Sequence, residues 1–124
     1  MNEKQIPLVL IESPYKGDNY AHFQENVAYA RLCMRDALMH GEAPYASHLL
    51  YTQAGVLDDK IPQERELGIE SGLAWGRCAD LTAVYIDHGI SEGMKRGIKH
   101  ARELGRPVEY RSLKGAPLPT EDPL

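Results

Sequence analysis

The sequence is short of the features that would mark a specialised protein at first sight. It has two cysteines, Cys33 and Cys78, in 124 residues, and a disulfide framework or a zinc site needs more ligands at tighter spacing. Both sit among apolar neighbours in segments of helical pattern and read as reduced core residues of a cytosolic protein. Basic residues are not in excess. The net charge is −4, with both signs mixed along the chain, which argues against a nucleic-acid polymer as partner, because such binding needs a basic face that displaces counterions. No apolar run approaches the length of a membrane span, and Met1-Asn2-Glu3-Lys4-Gln5 lacks the apolar stretch of a signal peptide. A cytoplasmic location without a membrane partner is the expectation. Internal repeats and low-complexity stretches are missing, as are a P-loop ending in GK[ST], a full G-x-G-x-x-G fingerprint and a G-x-S-x-G elbow. Neither a metal nor a cofactor is expected.

What is present is an ordinary soluble composition, 43% hydrophobic, enough for one domain with one core. Pro7 to Ile11 is a continuous apolar run that suits a strand buried on both faces. Glu12 to Asp18 reads as a loop, broken by Pro14 and Gly17. From about Asn19 to His40 the period turns helical, with Phe23, Val27, Ala30, Met34, Ala37 and Leu38 on one stripe and Gly41 as the stop. Ala43 to Ser47 is a weak second strand. A second helix is predicted from Pro62 to Cys78, with Leu67, Ser71, Ala74, Trp75 and Cys78 as its buried side. Leu81 to Ile86 is a clear strand. Ser91 caps a third helix running to about Leu104 with Gly105 at its end, and Pro107 to Tyr110 makes the last strand. The domain is expected over residues 1–112, followed by a loose proline-rich tail over 113–124.

This β-α-β-α-β-α-β order predicts right-handed crossovers and a parallel sheet of four to five strands, with helices on both faces, in a flavodoxin-like or Rossmann-like three-layer sandwich. Ligands in such folds bind beyond the carboxyl ends of the strands. That selects three loops, Glu12 to Asn19, Ser47 to Lys60, and Asp87 to Met94. The last combines Asp87, His88, Gly89, Ser91, Glu92, Gly93 and Met94 at a helix start, where glycines admit close backbone approach and free amides favour an anion. A purely structural reading, in which Asp87 ties down a strand-to-helix turn, weighs about equally. Ser13, Tyr15 and Lys16 in the first loop, and His48 and Tyr51 in the second, are candidate contacts for a base, sugar or phosphate. His22, His40 and His100 read as solvated helix positions, and Lys95, Arg96 and Lys99 as the wet face of the third helix.

Several short segments carry a resemblance in their order and spacing. They are Leu10-Ile11-Glu12-Ser13-Pro14-Tyr15, Asn26-Val27 with Ala30, and Ala43-Pro44-Tyr45 with His48. Then come Ala79-Asp80-Leu81, Val84-Tyr85-Ile86-Asp87, Gly89 to Met94, and Ala101 with Gly105-Arg106-Pro107-Val108. Over residues 7 to 112 the chain resembles the nucleoside 2-deoxyribosyltransferase-like superfamily, in particular a small branch common in phages and prophages. The resemblance implies homo-oligomers with sites completed across subunits, and a glutamate nucleophile early in the last helix. It also implies assisting aspartates, which Asp80 and Asp87 resemble, and a sugar-contacting tyrosine, which Tyr15 resembles. The departure is Gly97, which stands in the nucleophile's place. Losing a nucleophile costs orders of magnitude in rate, and Glu92, at the helix start, is the available substitute.

Two functions follow as expectations. The first is a protein that binds a nucleoside or nucleotide derivative without turnover, in a phage setting sequestering a nucleotide defence signal. The second is an N-glycosidase or deoxyribosyltransferase acting on nucleosides or their monophosphates through Asp87, Asp80 and Glu92. A scaffold with a vestigial pocket is favoured instead if Tyr15, His48 and Asp87 lie far apart or are covered by protein. The exposed side of the second helix near Trp75 is the expected oligomer contact.

Overall fold

A computed structural model describes residues 5–119, so most of the reading of Met1 to Gln5 and the end of the expected tail lie outside the described residues. The elements are β1 (Leu8–Glu12), α1 (Tyr20–Met39), β2 (Ala43–Tyr45), α2 (Ser47–Leu50), α3 (Pro62–Gly76), β3 (Leu81–Tyr85), α4 (Glu92–Glu103) and β4 (Val108–Arg111). The strands form one four-stranded sheet in the order β2-β1-β3-β4, all parallel, with Leu8 opposite Ala43, Glu12 opposite Val84 and Tyr85 opposite Arg111. This is the expected flavodoxin-like α/β fold.

Period-two alternation divides the sheet into two faces. Val9 and Ile11 of β1 and Ala83 and Tyr85 of β3 pack with Tyr29, Cys33 and Ala37 of α1. Val84 packs with Met94 and Ile98 of α4, and the Leu10 side chain lies near Gly76 of α3. The parity that puts Leu10 on the α3–α4 face puts Glu12 there too. The order turns back between β1 and β3, the crevice where a ligand site is expected in such sheets.

Local chemistry explains the helix ends. Asn19 caps α1, its side chain accepting from the His22 amide. Ser91 caps α4 by accepting from the Met94 amide at 3.3 Å, and the Met94 thioether accepts from the Ser91 amide at 3.3 Å. The segment Ser47–Leu50, which reads as loop, is a short helix.

The expected burial of α3 is corrected. Leu67 and Trp75 are 54% and 60% exposed, and Cys78 is exposed; the helix instead buries Gly72 and Gly76. Glycine lets backbone surfaces meet closely. A methyl group on Gly72 would lie 2.5 Å from the Ser47 hydroxyl and 2.6 Å from its Cβ. Leu38 of α1 is likewise exposed, and the buried stripe there runs through Asn26, Tyr29, Ala30, Cys33 and Ala37. Cys33 is buried as expected.

The opposite side of the sheet is closed by an ion pair. Arg111 donates to both Glu42 carboxylate oxygens at 2.7 and 2.6 Å, with only 12% and 13% of the two side chains exposed. No helix among the described residues is long and apolar enough to cross a membrane.

Candidate functional site

A cavity of about 800 Å3 opens at the carboxyl ends of β1 and β3. Its walls come from the three loops that the strand order selects. Ser13, Tyr15, Lys16, His48, Tyr51, Gly89, Ser91, Gly93 and Met94 all line it, as does Glu92. Asp87 and Asp80 are not in its wall.

One wall is built around Ser13 and His48. Ser13 is buried, and its hydroxyl lies 2.8 Å from His48 Nε2. Desolvation lowers the imidazole to about 4, so it is neutral at physiological pH. The Tyr15 ring meets His48 edge-on at 5.9 Å and Phe23 at 5.0 Å, and burial raises its phenol. Asn26 of α1 ties this loop down, donating to the Lys16 carbonyl at 3.2 Å. His22, which reads as solvated, lines the cavity and accepts from the Asp18 amide. The nearby cations have acidic neighbours: Arg65 lies 3.9 Å from Asp59, and Arg96 bonds Glu66 at 2.7 Å.

Asp87 has another task. Its carboxylate accepts from the Tyr29 and Ser112 hydroxyls, each at 2.5 Å, and from the Leu113 and Lys114 amides at 2.9 and 3.1 Å. Desolvation would raise this carboxyl, but the hydroxyl and amide donors outweigh it and hold the group well below the usual carboxylate range. Its lone pairs are thus committed to a latch joining α1, β3 and the segment after β4. The first residues of the expected loose tail are tied down by the same latch. His88 stacks on Tyr29 at 4.0 Å and faces the cavity. Asp80 sits at the amino end of β3, where its carboxylate accepts from the Leu8 amide at 2.8 Å. The sheet separates it from the pocket, so the expected trio of Asp80, Asp87 and Glu92 is not assembled there.

The residue that sequence reasoning passes over is Glu12. It is half-buried and lines the cavity, and no group among the described residues hydrogen-bonds its carboxylate. A methyl group built on Gly97 would lie 2.5 Å from Glu12 Cδ and 2.9 Å from Oε1, and closer still to Oε2. The carboxylate of β1 therefore fills the space that a side chain at position 97 would take. Desolvation pushes the Glu12 carboxyl up to about 8, with Arg106 only partly opposing it. Arg106 is buried and donates to Thr82 Oγ1 at 2.9 Å and to the Gly76 carbonyl at 2.5 Å. The alternation in Leu8–Glu12 carried the parity signal for Glu12, but nothing in sequence joins it to a glycine so far along the chain.

The model of a family described as a domain of unknown function, DUF7768, matches residues 7–111. No protein of curated function matches. Among solved structures, a 2-deoxyribosyltransferase from the psychrotolerant bacterium Bacillus psychrosaccharolyticus, described as a biocatalyst for nucleoside synthesis, superposes with a TM-score of 0.61 at 20% identity. The match covers 90% of this chain and 77% of that one. The fold is thus nucleoside 2-deoxyribosyltransferase-like.

Proposed function

This chain belongs to the DUF7768 family, and on that premise we propose that its pocket holds a nucleoside or nucleotide derivative. The observation that carries the reading is the pocket itself. Aromatic Tyr15, Tyr51 and His88, polar Ser13 and His48, and the glycine-rich start of α4 converge on one cavity of about 800 Å3, a size that accommodates a base and a sugar. The shared fold with a 2-deoxyribosyltransferase supports the same ligand class by analogy. Arg65 and Arg96 already have acidic neighbours, which favours an uncharged sugar–base compound over a multiply phosphorylated one. Cytoplasmic location and a homo-oligomer with Trp75 at its contact belong to the same reading.

A second reading, cleavage or exchange of the base, is favoured by the Glu12 carboxylate. Binding without turnover, including sequestration of a nucleotide defence signal, drew its sequence-level support from Gly97. A carboxylate supplied from β1 removes that ground. The test is calorimetry with a panel of 2′-deoxynucleosides, ribonucleosides and their 5′-monophosphates, followed by chromatography before and after heat denaturation. Saturable binding of at least one nucleoside is expected. No binding by any of the panel overturns the reading. Release of an intact ligand only on heating returns the case to sequestration.

A further inference from the structure

Glu12 has the placement of a working group and lacks the partners of a structural one. It is the last residue of β1, on the sheet face covered by α3 and α4, and it borders the cavity where the chain reverses its strand order. Buried carboxylates in stable proteins are hydrogen-bonded or paired. Among the described residues nothing donates to this one: Arg106 gives Nε to Thr82 and Nη1 to the Gly76 carbonyl, while its buried Nη2 has no hydrogen-bond partner and acts on Glu12 through charge alone. The helix beside it has a glycine at the point of closest approach, so the space is occupied by the carboxylate alone.

We propose that Glu12 is the acid–base residue of this pocket, passing its proton to the departing base of a bound nucleoside, and that Gly97 is required because any side chain there displaces the carboxylate. The proposal rests on the nucleoside reading above. In the step, the Glu12 carboxyl O–H gives its proton to a nitrogen of the base while the C1′–N bond breaks and its electron pair leaves with the base. A water oxygen then bonds C1′ and returns a proton to the carboxylate. Nucleoside and water become free base and free sugar, and the acid is regenerated.

A general acid must hold its proton at working pH. Burial pushes Glu12 to about 8, so it does. The groups around it leave that state undisturbed. Arg106, before β4, is the one charge acting on it, and His48 of α2 is neutral. α1, α3 and α4 bring His22, Glu64, Arg65, Glu92 and Arg96 to the walls of the same cavity, and none of these is among the groups that shift the Glu12 carboxyl.

The experiment measures base release by chromatography from about pH 5.5 to about pH 9, with nucleoside binding followed in parallel by calorimetry. Wild-type turnover is expected to fall as pH rises through about 8. Glu12→Gln should lose roughly 100-fold or more in rate while binding is kept within a few-fold. Glu12→Asp keeps a titrating carboxyl and should retain an alkaline limb. Gly97→Ala should lose rate as Glu12→Gln does, although position 97 carries no reacting group. Wild-type turnover by Glu12→Gln, or a wild type that binds a nucleoside and never releases base, overturns the proposal and leaves the binding reading standing. Absence of nucleoside binding overturns both.

Discussion

Glu12→Gln should make the folded protein more resistant to unfolding in alkali, whatever its effect on turnover. The carboxyl titrates at 4.5 unfolded and at about 8 folded, so between these values the folded state holds a proton that the unfolded state has released. Linkage then sets the sign: the group's contribution is fully present below about 4.5 and is lost as pH rises through about 8. Each tenfold difference in proton affinity between the two states is worth ~1.4 kcal/mol, giving a total of ~3–5 kcal/mol, with the lower end expected because the carboxyl opens onto the cavity. That is a large share of the ~5–15 kcal/mol that holds a domain together. His48 acts in the opposite sense. Its imidazole falls from 6.5 to about 4 on folding, so its contribution is present above about 6.5 and lost as pH falls toward about 4. Urea unfolding of wild type and Glu12→Gln at about pH 5, 7 and 9 separates the two, because the His48 limb cancels in the difference. The stability of the variant relative to wild type should climb by ~3 kcal/mol or more across that range. A difference independent of pH would refute the claim that this carboxyl folds with its proton on.

Other predictions concern the frame of the site. Gly72→Ala should destabilise by ~1–3 kcal/mol, because the methyl meets Ser47 Cβ at 2.6 Å, whereas Gly76→Ala meets Leu10 at 3.4 Å and should be neutral or mildly stabilising in thermal melts. Asp87→Ala leaves the Tyr29 and Ser112 hydroxyls and two amides without their acceptor and should cost ~3–5 kcal/mol in urea unfolding. Loss of base release without loss of stability in this variant would restore Asp87 as a reacting group. Glu42→Ala removes the bidentate partner of the mostly buried Arg111 guanidinium and leaves it Glu109 and the Tyr85 hydroxyl, which should cost ~1–3 kcal/mol, while Arg111→Met with Glu42→Leu should recover most of it.

The sheet was legible because its strands are apolar runs bounded by breakers, and because helices of this length between them force parallel pairing. The cap at Ser91 was legible for a similarly local reason, a short polar side chain ahead of a periodic segment, whereas Asn19 read only as the start of one. The buried face of α3 was not. Leu67, Ser71, Ala74, Trp75 and Cys78 form an apolar stripe that imitates a core face, while the face that packs is marked by Gly68, Gly72 and Gly76, which a hydrophobicity pattern cannot see. In the site, the loops were found by the rule that ligands lie beyond the strand ends, and most of the named residues do line the cavity. Asp80 was drawn in by resemblance and Asp87 by both the strand-end rule and the resemblance, and only hydrogen-bond geometry separates a carboxylate that is committed from one that is available. Glu12 was hidden in the opposite way. It sits at the junction of strand and loop, and its significance lies in a glycine that only the folded sheet brings beside it.

The Asp87 latch also sets a sequence of events in time. The carboxylate draws one donor from α1 and the others from Ser112, Leu113 and Lys114, beyond the last strand. On a ribosome, where the chain emerges amino end first, β1, α1 and β3 are available well before those donors. A nascent chain can pair its central strands while the Asp87 carboxylate still waits for most of its partners, with His88 and the rim of the cavity next to it. Closure of the rim therefore waits for residues 112–114, and a chain stopped short of Ser112 carries the walls of the pocket without the clasp that holds them.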